Sequence, residues 1–142
     1  MANKFIELPF QPRLVINPIT TKEYKIQEPR VSLWLSWSKK PIATTALIDS
    51  GATYSLLNAH LGEYVGIKLN KKKPIKILGI GNKELVAYAH PIKIKLDGTD
   101  WIETEAHFSY EQTVNLLGIY GFFNKFSEVS FRANEEVIKL TF

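Results

Sequence analysis

The segment from residue 46 to residue 53 reads Ala-Leu-Ile-Asp-Ser-Gly-Ala-Thr, and it decides how the whole chain is interpreted. Three apolar residues lead into Asp49 and small residues follow it, so the pattern predicts a strand that delivers a carboxylate into a tight loop. The other two aspartates, Asp97 and Asp100, lie in an Asp-Gly-Thr-Asp turn whose chemistry accounts for them. Taken alone, the segment also fits a strand that ends in a simple turn at Asp49.

The residues around this segment favour β-structure. Apolar residues recur at every second position over Val31–Trp37, which is typical of a strand, and a turn then leads into a second strand over Ile42–Ile48. The motif at Asp49 therefore ends the second strand of a hairpin. Beyond the motif, Leu57–Val65 has helical spacing, with Asn58 in position to cap the helix.

The remainder of the chain predicts further short strands and a second short helix at Phe122–Phe126. Strands are predicted at Pro74–Leu78, Leu85–Ala89, Ile92–Leu96, Trp101–Phe108, Val114–Leu117 and Val137–Phe142. Residues 31–142 are thus expected to form one mostly-β domain of closed, barrel-like type with one or two short helices. Residues 1–30 hold four of the seven prolines and are expected to form an extended arm, with an edge strand near Arg13–Ile16.

Composition excludes several classes of function. The chain has no cysteine, which rules out disulfides, thiolate zinc sites and cysteine nucleophiles, and its three histidines are not at metal-ligand spacing, so no metal or cofactor is expected. The net charge of +4 is concentrated at Lys71–Lys73, which fits a solvated loop better than a nucleic-acid-binding face. No apolar run reaches the roughly 20 residues that span a bilayer, and no signal-peptide core is present, so a cytoplasmic location is the default expectation.

Three segments in order resemble the retropepsins, the retroviral-type aspartic proteases. The first is the Asp49 segment, which is similar to the family's apolar pair followed by Asp-Thr/Ser-Gly-Ala/Ser. The second is the glycine-containing run Ile77–Asn82, which resembles the family's β-hairpin flap. The third is Asn115–Gly118 with the short helix after it, which resembles the family's late apolar-glycine segment. The resemblance covers residues 31–142 and implies an acid-protease fold with a flap hairpin, assembled as a two-fold homodimer.

The resemblance also implies roles for individual residues. Asp49 would be catalytic, the Ser50 hydroxyl would tie the two active-site loops together across the dimer axis, and Gly51 and Ala52 would line the substrate cleft. Leu117 and Gly118 would support the catalytic loop from behind. The flap that closes over the substrate would be formed by Gly79, Ile80, Gly81 and Asn82.

The chemistry of such enzymes explains why a dimer is expected. Peptide hydrolysis by this route needs two carboxylates about 3 Å apart that share one proton, because two like charges so close cannot both ionise. This chain has a single Asp-Ser-Gly motif, at Asp49, so the second carboxylate must come from a second copy related by a two-fold axis. The expected substrate is a peptide or protein held as an extended strand.

The chain departs from the family at two positions. Many retropepsins carry an acidic residue and an arginine that together brace the dimer, and the corresponding positions here are Thr53 and Ile119. The dimer must therefore be held in another way, for which the N-terminal arm and the last strand are candidates. Two other functions stay open at this point: a catalytically silent peptide-binding module on the same fold, and an unrelated small β-barrel that binds an acidic partner.

Overall fold

The computed structural model describes residues 4–142, apart from the side chain of Ile80, and it is mostly β, as the sequence predicts. The strands of the described residues are β1 (Phe5–Pro9), β2 (Gln11–Ile16), β3 (Glu23–Glu28), β4 (Arg30–Ser36), β5 (Ile42–Ile48), β6 (Leu56–Asn58), β7 (Ile75–Leu78), β8 (Glu84–Leu96), β9 (Ile102–Ser109), β10 (Leu116–Leu117), β11 (Glu128–Arg132) and β12 (Val137–Thr141). One α-helix, α1 (Ala59–Tyr64), lies among them, with 3₁₀ turns at Ile80–Asn82 and Phe123–Lys125.

The strands form three sheets. The main sheet has seven strands in the order β4-β5-β10-β6-β9-β8-β7, and β8 also pairs with β4. A three-stranded sheet has β12 at its centre, with β1 and β11 on either side. The third sheet is the two-stranded hairpin β2–β3. In the main sheet the two-residue strand β10 pairs in parallel with β5 and in antiparallel with β6, so it lies between the strand before Asp49 and the strand after it.

Alternating burial explains why β4 lies where it does. Val31, Leu33 and Leu35 are buried, while Trp34 between them is half exposed, so one face of the strand packs on the core and the other faces solvent. Fully burying a side chain of this size contributes about 1.5–3 kcal/mol. The same core holds Ile48, the last residue of β5, and the adjacent Asp49 is the first residue to emerge from it.

The prediction of separate strands at Leu85–Ala89 and Ile92–Leu96 is wrong, because β8 runs without a break from Glu84 to Leu96. Pro91, inside this strand, lacks a backbone donor and would break a ladder on both sides. Here it lies beyond the last residue paired with β7 and before the first residue paired with β4, so only β9 pairs with it. The strand therefore accommodates the proline at a position with one neighbour.

The predicted helix over Leu57–Val65 is shorter than expected. Residues 56–58 are occupied by β6, which pairs in parallel with β9, so α1 begins only at Ala59. Asn58 caps it as predicted, since its side-chain oxygen accepts a hydrogen bond from the backbone N–H of His60. The predicted helix at Phe122–Phe126 is a single 3₁₀ turn over Phe123–Lys125.

Residues 1–30, for which the sequence predicts an extended arm, divide into two parts, with residues 1–3 outside the described residues. Strand β1 pairs along its whole length with β12, from Phe5 opposite Thr141 to Pro9 opposite Val137. Residues 11–28 then form the separate hairpin β2–β3, which includes the predicted edge strand near Arg13–Ile16. In residues 4–142 no helix has the length and apolar character needed to cross a membrane.

Candidate active site

Asp49 is fixed at the end of β5 by the parallel strand β10. Leu117 of β10 lies opposite Ile48, and the backbone N–H of Asp49 donates to the carbonyl of Leu117 over 2.9 Å. Leu117 is fully buried, so this anchor belongs to the core. The backbone of Asp49 is therefore held by a buried strand of the main sheet.

The loop after Asp49 folds back on its side chain. The N–H of Gly51 donates to Oδ1 of Asp49 over 2.8 Å, and the N–H of Ala52 donates to the Asp49 carbonyl over 3.1 Å. One carboxylate oxygen is thus oriented by the loop itself. Ser50 lies exposed at the turn.

A ladder of hydrogen bonds joins this loop to the segment after β10. The N–H groups of Ile119 and Tyr120 donate to the carbonyls of Ala52 and Thr53, each over 2.9 Å. At Gly118 the two segments approach so closely that a Cβ atom would lie 2.5 Å from the carbonyl oxygen of Tyr54. Only glycine fits at this position, which gives the apolar-glycine sequence a steric reason.

Two buried polar side chains, which the sequence reasoning did not assign to the site, complete the support. Ser55 accepts a hydrogen bond on Oγ from the N–H of Gly118 over 3.1 Å. Asn115 donates from its amide nitrogen to the carbonyl of Thr45 and accepts on Oδ1 from the N–H of Asn58 over 2.9 Å. Asn115 therefore pins β5 to β6. The sequence contained a signal for this role. Asn115 directly precedes two apolar strand residues, and a polar side chain buried there needs a hydrogen-bond partner.

Asp49 opens into a groove of about 730 Å³. Gly51, Ala52 and Gly79 also line this groove, so the structure brings together the Asp49 loop and the start of the second glycine-containing segment. Ser50, Gly81 and Asn82 are not among its lining residues, and Leu117 and Gly118 are buried behind the loop. The lining residues that sequence reasoning missed are mainly Lys76, Lys83, Leu85, Glu111, Gln112 and Thr113.

The hairpin β7–β8 forms one side of this groove. Residues 75–78 of β7 pair with residues 84–87 of β8, and the N–H of Gly79 donates to the carbonyl of Lys83 over 2.7 Å. At the tip, Gly81 and Asn82 both have positive φ, of 75° and 59°. Glycine adopts this conformation without strain and asparagine tolerates it better than most residues, which explains their presence in the turn.

A buried histidine lies behind the groove wall. His107 of β9 is buried, and its ring lies 4.4 Å from the ring of Tyr54, which lines the groove. Burial lowers the pKa of His107 below its usual value, and the charge of nearby Glu105 opposes this effect only in part. The imidazole is therefore neutral at neutral pH.

The charged clusters elsewhere in residues 4–142 provide no metal site. Across residues 4–142, no group of three or more His, Cys, Asp or Glu side chains is arranged to hold a metal ion. The lysine run at residues 71–73 is exposed in a turn, where the Nζ of Lys71 lies 5.1 Å from the ring centre of Tyr110. The groove at Asp49 thus remains the principal candidate site.

Comparisons with known proteins identify the fold. No protein-family model matches the chain, and no curated protein matches its sequence. Among solved structures, a retropepsin-like aspartic protease from Rickettsia conorii aligns with 100% of this chain and 95% of its own, at a TM-score of 0.58 and 13% identity. EIAV protease complexed with the inhibitor HBY-793 aligns with 66% of this chain and 83% of its own, at a TM-score of 0.51 and 22% identity. The chain therefore has a retropepsin-like fold.

Proposed function

We propose that this chain is an aspartic endopeptidase that acts as a homodimer, with Asp49 of each subunit forming the catalytic pair. The observation that carries the proposal is the Asp49 carboxylate, which is oriented by the N–H of Gly51 and lines a groove of about 730 Å³. The two similar structures are both described as proteases, which supports a peptidase on this fold.

The proposed reaction uses two carboxylates in different protonation states. The ionised carboxylate takes a proton from water as the water oxygen attacks the scissile carbonyl carbon, and the protonated carboxylate gives its proton to the carbonyl oxygen. The tetrahedral intermediate then collapses: the carboxyl that took a proton from water gives it to the amide nitrogen as the C–N bond breaks, and a hydroxyl of the intermediate returns its proton to the other carboxylate, which releases an amine and a carboxylic acid. Because the chain has a single Asp-Ser-Gly motif, the second carboxylate is supplied by a second copy.

The substrate is proposed to bind as an extended peptide beneath the hairpin β7–β8, which acts as the flap through Gly79, Ile80, Gly81 and Asn82. In the described part of the chain, β7 pairs only with β8, so its outer edge is open to add a strand. Ser50 would link the two Asp49 loops across the axis, and the pairing of β8 with β4 would close the main sheet into a barrel.

The groove lining suggests which peptides fit. Ile77, Leu85 and Leu116 offer apolar surface for substrate side chains. Lys83 brings positive charge from the hairpin, whereas Lys76 lies 3.8 Å from the carboxylate of Glu84. We expect substrates with apolar residues beside the scissile bond and with acidic rather than basic residues where the peptide passes under the hairpin.

The primary test is cleavage of a mixed peptide library from pH 3.5 to 7.5 by the wild type and by Asp49→Asn. We expect cuts by the wild type that fall by about 10³-fold or more in the variant, since the carboxamide cannot act as a base. Glu111→Gln is the matched control, because Glu111 is a second carboxylate that lines the same groove. Glu111→Gln should still cleave the peptides. If both variants lost cleavage, or if neither did, the assignment of Asp49 would be contradicted.

A mixing experiment tests whether the two carboxylates come from two chains. Wild-type protein at a fixed concentration is equilibrated with a ninefold excess of Asp49→Asn. Random pairing leaves about one tenth of the wild-type subunits in wild-type dimers, so activity should fall to about one tenth. Unchanged activity would mean that a single chain holds the complete site.

A further inference from the structure

The hairpin β2–β3 is set apart from the rest of the described chain. Its two strands pair with each other over six residues each, and within residues 4–142 neither pairs with any other strand. A two-stranded hairpin is at best marginally stable by itself in water. Such a hairpin therefore needs a packing partner beyond its own two strands.

One face of this hairpin and its tip carry large apolar side chains that are left uncovered. Leu14 and Ile16 are 53% and 58% exposed and lie on the same face, because strand side chains alternate, and Ile19 at the tip is 89% exposed. Across the strand pair, Leu14 lies opposite Lys25 and Ile16 lies opposite Glu23. The face thus combines two large apolar side chains with one charge of each sign, a composition that a two-fold copy of itself can complement.

The base of the hairpin lies next to the proposed catalytic loop. The carbonyl of Pro29, one residue beyond β3, accepts a hydrogen bond from the N–H of Ile48, the residue before Asp49. Glu28 at this base is buried and is bound by both Arg13 and Arg30. Burial raises the pKa of Glu28, but the hydrogen bonds and charges of the two arginines outweigh this effect and hold the pKa below its usual value.

The last strand, the other candidate for holding a dimer, has no free edge. Strand β12 pairs with β1 on one side and with β11 on the other, over five residues each. It therefore cannot add a strand from a second copy without giving up a pairing it already has. The outer edges of β1 and β11 are unpaired in this sheet, so β2–β3 differs from it in having, among the described residues, no strand that is paired on both edges.

We propose that the hairpin β2–β3 docks on a second copy of this chain and is the element that braces the active dimer. This inference rests on the proposed function, because two Asp49 carboxylates must meet at a two-fold axis beside the Asp49 loop, where the hairpin is rooted. The apolar face formed by Leu14 and Ile16 is buried in the dimer, and the hairpin gains there the packing that its own chain does not supply.

The test uses the full chain and the double variant Leu14→Glu/Ile16→Lys. The new charges lie opposite Lys25 and Glu23 respectively, so each forms an opposite-charge cross-strand pair that keeps the hairpin folded, and the net charge is unchanged. The matched control is Tyr64→Lys/Trp101→Glu, which exchanges two exposed apolar residues outside both the hairpin and the groove for the same two charges. Dimer dissociation constants are measured by sedimentation velocity, and peptide cleavage is measured on the same samples.

We expect the hairpin variant to dissociate at least tenfold more readily than the wild type, and the control to remain within twofold of it. Cleavage by the hairpin variant should be lost at low concentration and recovered at high concentration. A dimeric, active wild type with a hairpin variant of equal dissociation constant would overturn this inference and leave the proposed function intact. A wild type that stays monomeric and inactive at every concentration would overturn the proposed function, and the inference with it.

A second measurement needs no variant. In the wild type, amide hydrogen exchange of residues 11–28 is followed while the protein is diluted through its dissociation constant. Exchange should accelerate in these residues as the dimer separates, whereas exchange in β12 should stay slow because both of its edges are paired within the chain. Exchange in the hairpin that does not change on dilution would overturn the inference.

Discussion

Two β-hairpins of this protein have the same simple construction but are held in different ways. The hairpin β7–β8 and the hairpin β2–β3 each contain a strand that, in the described part of the chain, pairs only with its neighbour. Strand β8, however, continues for nine residues beyond its pairing with β7 and joins the main sheet through β9 and β4. Strand β3 is interrupted at Pro29 before the chain enters β4.

This difference in attachment accounts for the different tasks proposed for the two hairpins. A continuous strand carries the orientation of the sheet into the hairpin, so β7–β8 stands at a defined place beside the groove at Asp49. The hairpin β2–β3 is oriented instead by the ion cluster at Glu28 and by single hydrogen bonds at its base. Its position depends more strongly on what packs against it.

The largest expected effect comes from the close contact between Gly118 and the loop after Asp49, which lies outside both hairpins. Gly118→Ala would place a methyl group 2.5 Å from the Tyr54 carbonyl oxygen and 2.6 Å from that of Ala52. Neither carbonyl can withdraw without breaking the loop, so we expect a loss of about 3 kcal/mol in the free energy of unfolding. Gly79→Ala is the control, since its Cβ would be in ordinary contact at 3.4 Å. Denaturant unfolding measures both, and equal stabilities would contradict the steric account.

Glu28→Gln tests whether the ion cluster anchors the hairpin β2–β3. Replacing a buried carboxylate bound by two arginines should lower the free energy of unfolding by about 2 kcal/mol at pH 7. Because the folded-state pKa lies below the ordinary value of 4.5, this stabilisation is fully present above pH 4.5 and is lost as the pH falls through the folded-state pKa. The difference from the wild type should therefore shrink in acid. Glu23→Gln, an exposed carboxylate on the same strand, should change little at any pH.

Gly81→Ala tests whether the hairpin β7–β8 affects peptide cleavage without affecting dimerisation. At a φ of 75° an alanine costs about 1 kcal/mol, so the tip of β7–β8 should be displaced or strained. We expect kcat/KM for peptide cleavage to fall by up to about tenfold while the dimer dissociation constant stays unchanged. The reverse pattern is expected for Leu14→Glu/Ile16→Lys. If Gly81→Ala weakened the dimer as well, the two hairpins would not have separate tasks.

The smallest effect concerns the histidine behind the groove, which belongs to neither hairpin. The folded-state pKa of His107 lies below the ordinary value of 6.5, so the unfolded chain takes up a proton first as the pH falls below 6.5. Stability should therefore decline from pH 6.5 downward until the folded-state pKa is passed. His107→Gln should remove this part of the decline in thermal unfolding midpoints, and an unchanged decline in this variant would contradict the assignment to His107.

Much of the site's local design was readable from the sequence. The strand before Asp49, the cap at Asn58 and the hairpin around Gly79 follow from alternation, capping chemistry and turn residues, which act over a few neighbours along the chain. The predictions were wrong where pairing with segments distant in the sequence determines whether residues form a strand or a helix. Strand β8 can contain Pro91 because only β9 pairs with it at that position. Helix α1 begins later than predicted because the residues before it pair with β9 and β10 as strand β6.

The sequence by itself determined the apolar strand ending in Asp49, the single carboxylate motif per chain and the mostly-β character, since each depends on residue types and their spacing. The tertiary structure alone decided that β10 lies between β5 and β6, that Asn115 and Ser55 support the loop, and that β12 is paired on both edges while β2–β3 is not. The physical reason is that strand pairing and buried hydrogen bonds join residues far apart in the chain. Their partners are fixed only when the whole core packs.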